Sequence, residues 1–250
     1  MKKHPVLYLL VIIPILFLTS CDQMPGGSPQ YINPLGQIIK TEEPAAEGSD
    51  QTEVKLETND WSNIYIENAN QSKKPRILFV GDSIANGYFP YLTDDLSAEY
   101  YLGYYVTSKF LGNPDFQTEL TTVLDRYDFK IIHINNGLHG WDYSIEEYQK
   151  GLEDLKRILD DHAPNALIIW CMTTPIREEG DLTSLDKLNQ DVILRNQAAL
   201  EIMGENGYLI NDLYQEMLKH PEYYKDGYHF NNAGKEFQAK VIAEFILAYE

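Results

Sequence analysis

The sequence predicts one α/β domain in three layers, with helices on both faces of a five-stranded parallel sheet. Two observations carry that expectation. Five short runs rich in β-branched and aromatic residues recur along the chain, and a segment of helical pattern follows each of them. Such alternation produces a parallel sheet joined by right-handed crossovers. The length of 250 residues suits one sizeable domain of this kind rather than two. No internal repeat is visible.

The first residues stand outside the fold. Lys2 and Lys3 precede an apolar run from Val6 to Phe17, and Leu18-Thr19-Ser20-Cys21 follows. A basic head before a dozen apolar residues reads as an export signal, too short for a comfortable membrane span. Its ending resembles the lipobox of bacterial lipoproteins. That resemblance implies a signal peptide over 1–21, cleavage before Cys21 and lipidation (palmitate included) of the Cys21 end. An uncleaved anchor or a secretory signal with a chance cysteine is the bland alternative. Residues 22–60 are rich in Pro, Gly, Ser, Glu and Thr, so they are expected to form a flexible tether. The folded domain is expected over 61–250, with Trp61, Ile64, Tyr65 and Ile66 the first residues to meet it.

The first strand is Arg76-Ile77-Leu78-Phe79-Val80, closed by Gly81-Asp82-Ser83. Gly81 permits a sharp turn, and Ser83 falls where strand hands over to helix. A hydroxyl there faces the crevice in which open α/β sheets bind ligands, and the amides opening the helix can stabilise developing negative charge. Helix is expected over 88–100, strand over 101–106, and helix from Asn113-Pro114, a cap and first-turn pair, to about Tyr127. The third strand, 130–134, ends in Asn135-Asn136-Gly137-Leu138-His139-Gly140-Trp141. Ser144 and Glu147 form a capping box for the next helix. Strand follows over 166–172, a long helix over 185–206, a short strand over 208–210, and a brief helix capped by Asn211. The loop from Pro221 to Phe230 leads to a last helix over 232–249.

A serine nucleophile needs a base, and the base needs an orienting acid. Asp226-Gly227-Tyr228-His229 supplies both within one loop, although Asp-Gly is also a common turn pair. Gly-Asp-Ser after the first strand, with Asp-x-x-His before the last helix, resembles the SGNH (GDSL) hydrolase superfamily over about 76–250. The resemblance implies a flavodoxin-like sheet and a carboxylic ester hydrolase without a cofactor. By this match Ser83 is the nucleophile, His229 the general base and Asp226 the residue that orients it. It also implies oxyanion donors: the Ser83 amide, a second-block glycine that maps best to Gly112, and a third-block asparagine. The third block departs from the family, because His139 stands where that asparagine belongs. His139 and Asn136 are both candidates for the vacancy in the pattern.

The remaining residues bound the function. The formal charge is −18, and loss of Lys2 and Lys3 makes the mature chain more acidic still. Such a surface argues against nucleic acid and anionic membranes as partners and fits neutral or cationic ligands better. Membrane contact is expected through the lipid alone, at the bacterial cell envelope, with the protein a monomer. Cys171 lies in an apolar run and reads as core. His133 reads as a satisfied core residue, and no His, Cys, Asp and Glu group has metal-ligand spacing. Among 18 tyrosines, those near Ser83, Trp141 and His229 suit stacking on sugar rings. The expected activity is a lipid-anchored serine esterase acting on O-acyl, first of all O-acetyl, groups of carbohydrate. A glycan-binding lipoprotein without turnover and an O-acyltransferase on the same fold are the rival readings.

Overall fold

The computed structural model describes residues 31–32, 38–39 and 54–249. The signal peptide expected over 1–21, with Cys21, lies outside the described residues. The chain divides into two units, Met1–Gln51 and Thr52–Glu250. In the first, β1 (Tyr31–Ile32) and β2 (Ile38–Ile39) pair antiparallel, inside the stretch expected to be an irregular tether.

The second unit is organised by β4 (Arg76–Gly81), whose residues are all buried. Its neighbours are β5 (Tyr101–Thr107) and β6 (Ile131–Ile134), both parallel to it. β7 (Leu167–Cys171) extends the sheet beyond β6, and β10 (Leu209–Asn211) closes that side. These are the five strands read from the sequence, and all five run parallel. A sixth was not expected: β3 (Ser62–Ile66) pairs antiparallel with β5. Its sequence escapes the strand pattern because it is a mostly exposed edge. It is anchored by polar contacts, with Lys109 reaching Asp60, Glu119 and the Ser62 hydroxyl.

The order β10-β7-β6-β4-β5-β3 sends the chain from β4 to one side and then back to β6 on the other. That reversal makes the switch point at which doubly wound sheets bind ligands, beyond the carboxyl ends of the strands. α1 (Ser83–Leu96) leaves β4 at that point and packs on α6 (Asn232–Ala248), with α5 (Leu213–Leu218) beside it. α2 (Pro114–Arg126), α3 (Ile145–His162) and α4 (Asn189–Ala199) form the other helical group.

Capping sets the helix starts. Asn113 accepts the Asp115 amide ahead of Pro114 in α2, and Ser144 and Glu147 cap each other's backbone at α3. Three expectations are corrected, two of them by capping. α1 begins at Ser83 rather than Tyr88, because Asp82 caps it by accepting the Ile84 amide at 2.8 Å. Gly87 and Pro90 weaken that helix by propensity, but Ile84, Ala85, Tyr88, Phe89 and Leu92 bury one face and hold it. α5 is capped by Asp212, not Asn211, which is the last residue of β10. The long helix expected over 185–206 is shorter. A hairpin, β8 (Arg177–Glu178) with β9 (Asp181–Leu185), takes its first residue, and α4 ends in a π-turn over Leu200–Gly204. Gly180, at φ +100°, makes the hairpin turn.

Candidate active site

Ser83 is the first residue of α1 and follows the buried strand β4 directly. Gly81 must be glycine, since a Cβ there would lie 2.6 Å from that of Ala85. Its absence lets helix and strand close up, so Ser83 is held on rigid elements at the sheet's carboxyl edge. Asp82 takes the Ile84 amide, leaving the Ser83 amide at the open end of the helix.

The loop between the 3₁₀ turn Pro221–Tyr223 and α6 brings the second half of the site. The Lys225 amide donates to the His229 carbonyl at 2.8 Å, and Tyr224 and Phe230 form a β-bridge. Inside that knot, Asp226 Oδ1 accepts the amides of Tyr228 (2.9 Å) and His229 (2.7 Å). Its carboxylate also lies 3.1 and 3.2 Å from His229 Nδ1. His229 Nε2 is 3.0 Å from Ser83 Oγ, across 146 positions of sequence. The three side chains therefore stand in one hydrogen-bonded line. With Nδ1–H donating to the carboxylate, Nε2 is left as the acceptor for the hydroxyl proton. Burial alone would raise the Asp226 pKa. The His229 and Tyr228 amides and the imidazole outweigh it and hold the carboxyl below its ordinary value.

Two buried arginines brace loops at this edge of the sheet, Arg177 the Asp226 loop and Arg195 the loop after β6, and neither carried a signal in the sequence. The Arg177 amide donates to the Gly227 carbonyl at 2.9 Å, and its guanidinium reaches the Leu218 and Thr183 carbonyls. The guanidinium also lies over the Tyr224 ring, whose hydroxyl donates to Pro175. Gly227 permits this approach, because a Cβ would sit 2.5 Å from the Arg177 carbonyl oxygen. Arg195, 4% exposed, donates to the carbonyls of Gly137, His139 and Gly140 and stacks on Trp141. A lone Arg in a polar hairpin or a helix reads as surface, so only tertiary structure reveals either role.

The oxyanion candidates of the sequence each make contacts of their own. Asn136 is 1% exposed and donates to the Lys109 carbonyl, which makes it a strut between two loops. His139 faces Glu57, with Nδ1 3.5 Å from its carboxylate. Gly112 belongs to a turn against Phe110, and its amide nitrogen lies 3.1 Å from where a Cβ on Gly151 of α3 would be. None of the three lines the cleft, whose walls come from α1, α6 and the Asp226 loop.

Other expectations change as well. Among the tyrosines proposed for stacking, Tyr88 and Tyr224 are core residues, and Tyr143 is stacked on Phe110 with centroids 4.2 Å apart. Only Tyr91 of that set lines the cleft. His133 is core but not satisfied: neither ring nitrogen has a partner among the described residues, and burial lowers its pKa to about 3. Cys171 is core, as read from its apolar run, and burial raises its thiol pKa. The residues before Trp61 are not free of the domain. The Lys55 amide donates to the Tyr143 hydroxyl, and Glu57 accepts the Gly140 amide at 2.7 Å.

No sequence-family model matches the chain, and no curated protein does. Solved structures do match. A protein of Slackia heliotrinireducens assigned to the SGNH hydrolases is 23% identical, with TM-score 0.55, over 70% of this chain and 100% of that one. The acetylxylan esterase Axe2 of Geobacillus stearothermophilus is 17% identical, with TM-score 0.56, over 69% and 94%. The catalytic domain of the Streptococcus pneumoniae peptidoglycan O-acetyltransferase OatA is 20% identical, with TM-score 0.52, over 70% and 94%. At these identities the likeness establishes the fold, and the fold is that of the SGNH hydrolases.

Proposed function

We propose that this SGNH-fold protein is a serine esterase that removes O-acyl groups, acetyl foremost, from carbohydrate, and that a lipid on Cys21 holds it at the bacterial envelope. The single observation that carries the esterase reading is the 3.0 Å approach of Ser83 Oγ to His229 Nε2, with Asp226 behind the ring. His229 accepts the hydroxyl proton as Ser83 attacks the ester carbonyl, and Asp226 steadies the imidazolium that forms. The Ser83 amide, at the positive end of α1, is the first donor to the developing oxyanion. Gly112, Asn136 and His139 remain the candidates for further donors, since the loop that begins at Asn135 lies beside the Gly81 turn. The imidazolium then protonates the leaving alcohol. In the second half, water attacks the acyl-enzyme and His229 acts as base again.

Acetyl on carbohydrate is favoured by the folds of the acetylxylan esterase and the O-acetyltransferase, both of which handle acetyl groups by name. The lipid anchor rests on the sequence alone. Hydrolysis of a small chromogenic acetate tests the chemistry. The wild type is expected to exceed Ser83→Ala by at least about a thousandfold, and equal slow rates would falsify the esterase reading. Transfer is the second reading, favoured by the O-acetyltransferase fold likeness. A sugar hydroxyl would then replace water, and product analysis with an added acceptor separates the two.

A further inference from the structure

The cleft beside Ser83 has a charge character opposite to that of the chain. It encloses about 500 Å³, and its lining includes Ser83, His229, Tyr91, Lys225, Lys235 and Gln238. No Asp or Glu is among the residues that line it, although acidic residues outnumber Lys and Arg by 38 to 20 in the chain. Neither lysine side chain has an ion-pair or hydrogen-bond partner among the described residues. Gly87 helps to seat one of them: the Lys235 stem lies across it, with Cε 3.3 Å from where a Cβ would be. At the floor, Gln238 is fully buried, and neither its amide oxygen nor its nitrogen is hydrogen-bonded among the described residues. An unpaired buried amide favours a polar occupant over hydrocarbon.

We infer that this cleft is an anion subsite, and that the substrate is an O-acylated sugar bearing a carboxylate close to the ester. The inference rests on the esterase reading and narrows its substrate class. The carboxylate would sit between Lys225 and Lys235 while the ester carbonyl reaches Ser83. Net charge does not oppose this, because at physiological salt charges beyond about 8 Å are largely screened and the two near lysines dominate. The subsite is also short. Past Tyr91 the adjoining groove is lined by Asp94, Asp95, Glu236 and Glu244, with Lys240 the one cation there. A single carboxylate fits that boundary, and a polyanion running along α1 and α6 does not. The acidic composition therefore misleads about the ligand, since it describes the surface and not the cleft.

The test uses the Ser83→Ala protein, so that no turnover intervenes, and two mono-O-acetylated probes, a methyl glucuronide and the matching methyl glucoside. They differ only at C6, a carboxylate in one and a hydroxymethyl in the other. Chemical-shift titration should show the glucuronide bound about tenfold more tightly, as two solvent-exposed charge contacts would provide. That preference should vanish when Lys225→Gln and Lys235→Gln are added, and return with Arg at both positions. Equal binding of the two probes, or a preference that survives the Gln double substitution, overturns the inference. Hydrolysis of a neutral aryl acetate by wild type tests the esterase reading separately, so either can fail alone.

Discussion

Asp226 does two jobs with one carboxylate, and they can be separated. It folds the loop by accepting two backbone amides, and it faces the His229 ring. Asn in its place keeps an oxygen for the amides but loses the charge that steadies imidazolium. We expect Asp226→Asn to lower kcat for a chromogenic acetate by about a hundredfold or more while the melting temperature barely moves. His133 makes the opposite kind of prediction, about stability. Its pKa falls from about 6.5 unfolded to about 3 in the fold, through burial between Phe79 and Tyr88. Below pH 6.5 the unfolded chain takes up a proton that the folded one refuses, so stability is complete above that pH and drains away towards pH 3. Each pH unit costs about 1.4 kcal/mol within that window. Urea melts of wild type and His133→Leu at pH 7 and pH 4.5 should show a smaller acid loss in the variant.

At the scale of elements, the site depends on a hairpin that contributes no reacting atom. β8 carries Arg177, whose backbone and guanidinium together hold the Asp226 loop against α5. The close passage at Gly227 is what makes the brace tight. Gly227→Ala would drive a methyl to 2.5 Å from the Arg177 carbonyl oxygen, so the loop must move, and with it His229. A shift of one ångström in such a residue can cost about a hundredfold. We therefore expect Gly227→Ala to reduce kcat strongly with only a modest fall in stability, measured by steady-state kinetics beside thermal melting. The residue itself was legible as a bend between acid and base. Its partner was not, because hairpin and loop are distant in the chain and 181–185 is a short, mostly exposed strand.

For the molecule as a whole, the parallel sheet and its switch point set where chemistry happens, and buried cations lock the loops around it. Arg195 ties α4 to the 137–140 loop through three carbonyls. Arg195→Met leaves those acceptors buried without donors, and about 3 kcal/mol of stability should be lost in urea denaturation. The boundary of the folded unit at Thr52 makes a second prediction. A chain beginning at Thr52 keeps Lys55 and Glu57 on the 139–143 loop, whereas one beginning at Trp61 loses them. The shorter chain should melt a few degrees lower, since about 1 kcal/mol shifts the midpoint of a domain this size by roughly 2–4 °C.

Local order was readable from the residues alone: five strands, the Asn113 and Ser144 caps, and the serine turn and Asp-His loop as pieces of one possible site. Each of those is governed by neighbours in sequence, through period, capping and turn chemistry. What the tertiary structure decided is everything that needs two distant segments at once. The antiparallel edge β3, the Arg177 brace, the contacts of Asn136 and His139, and the two lysines that line the cleft beside Ser83 all depend on contacts across the fold. Net charge and residue spacing average over space, whereas a cleft is a local arrangement that only packing creates.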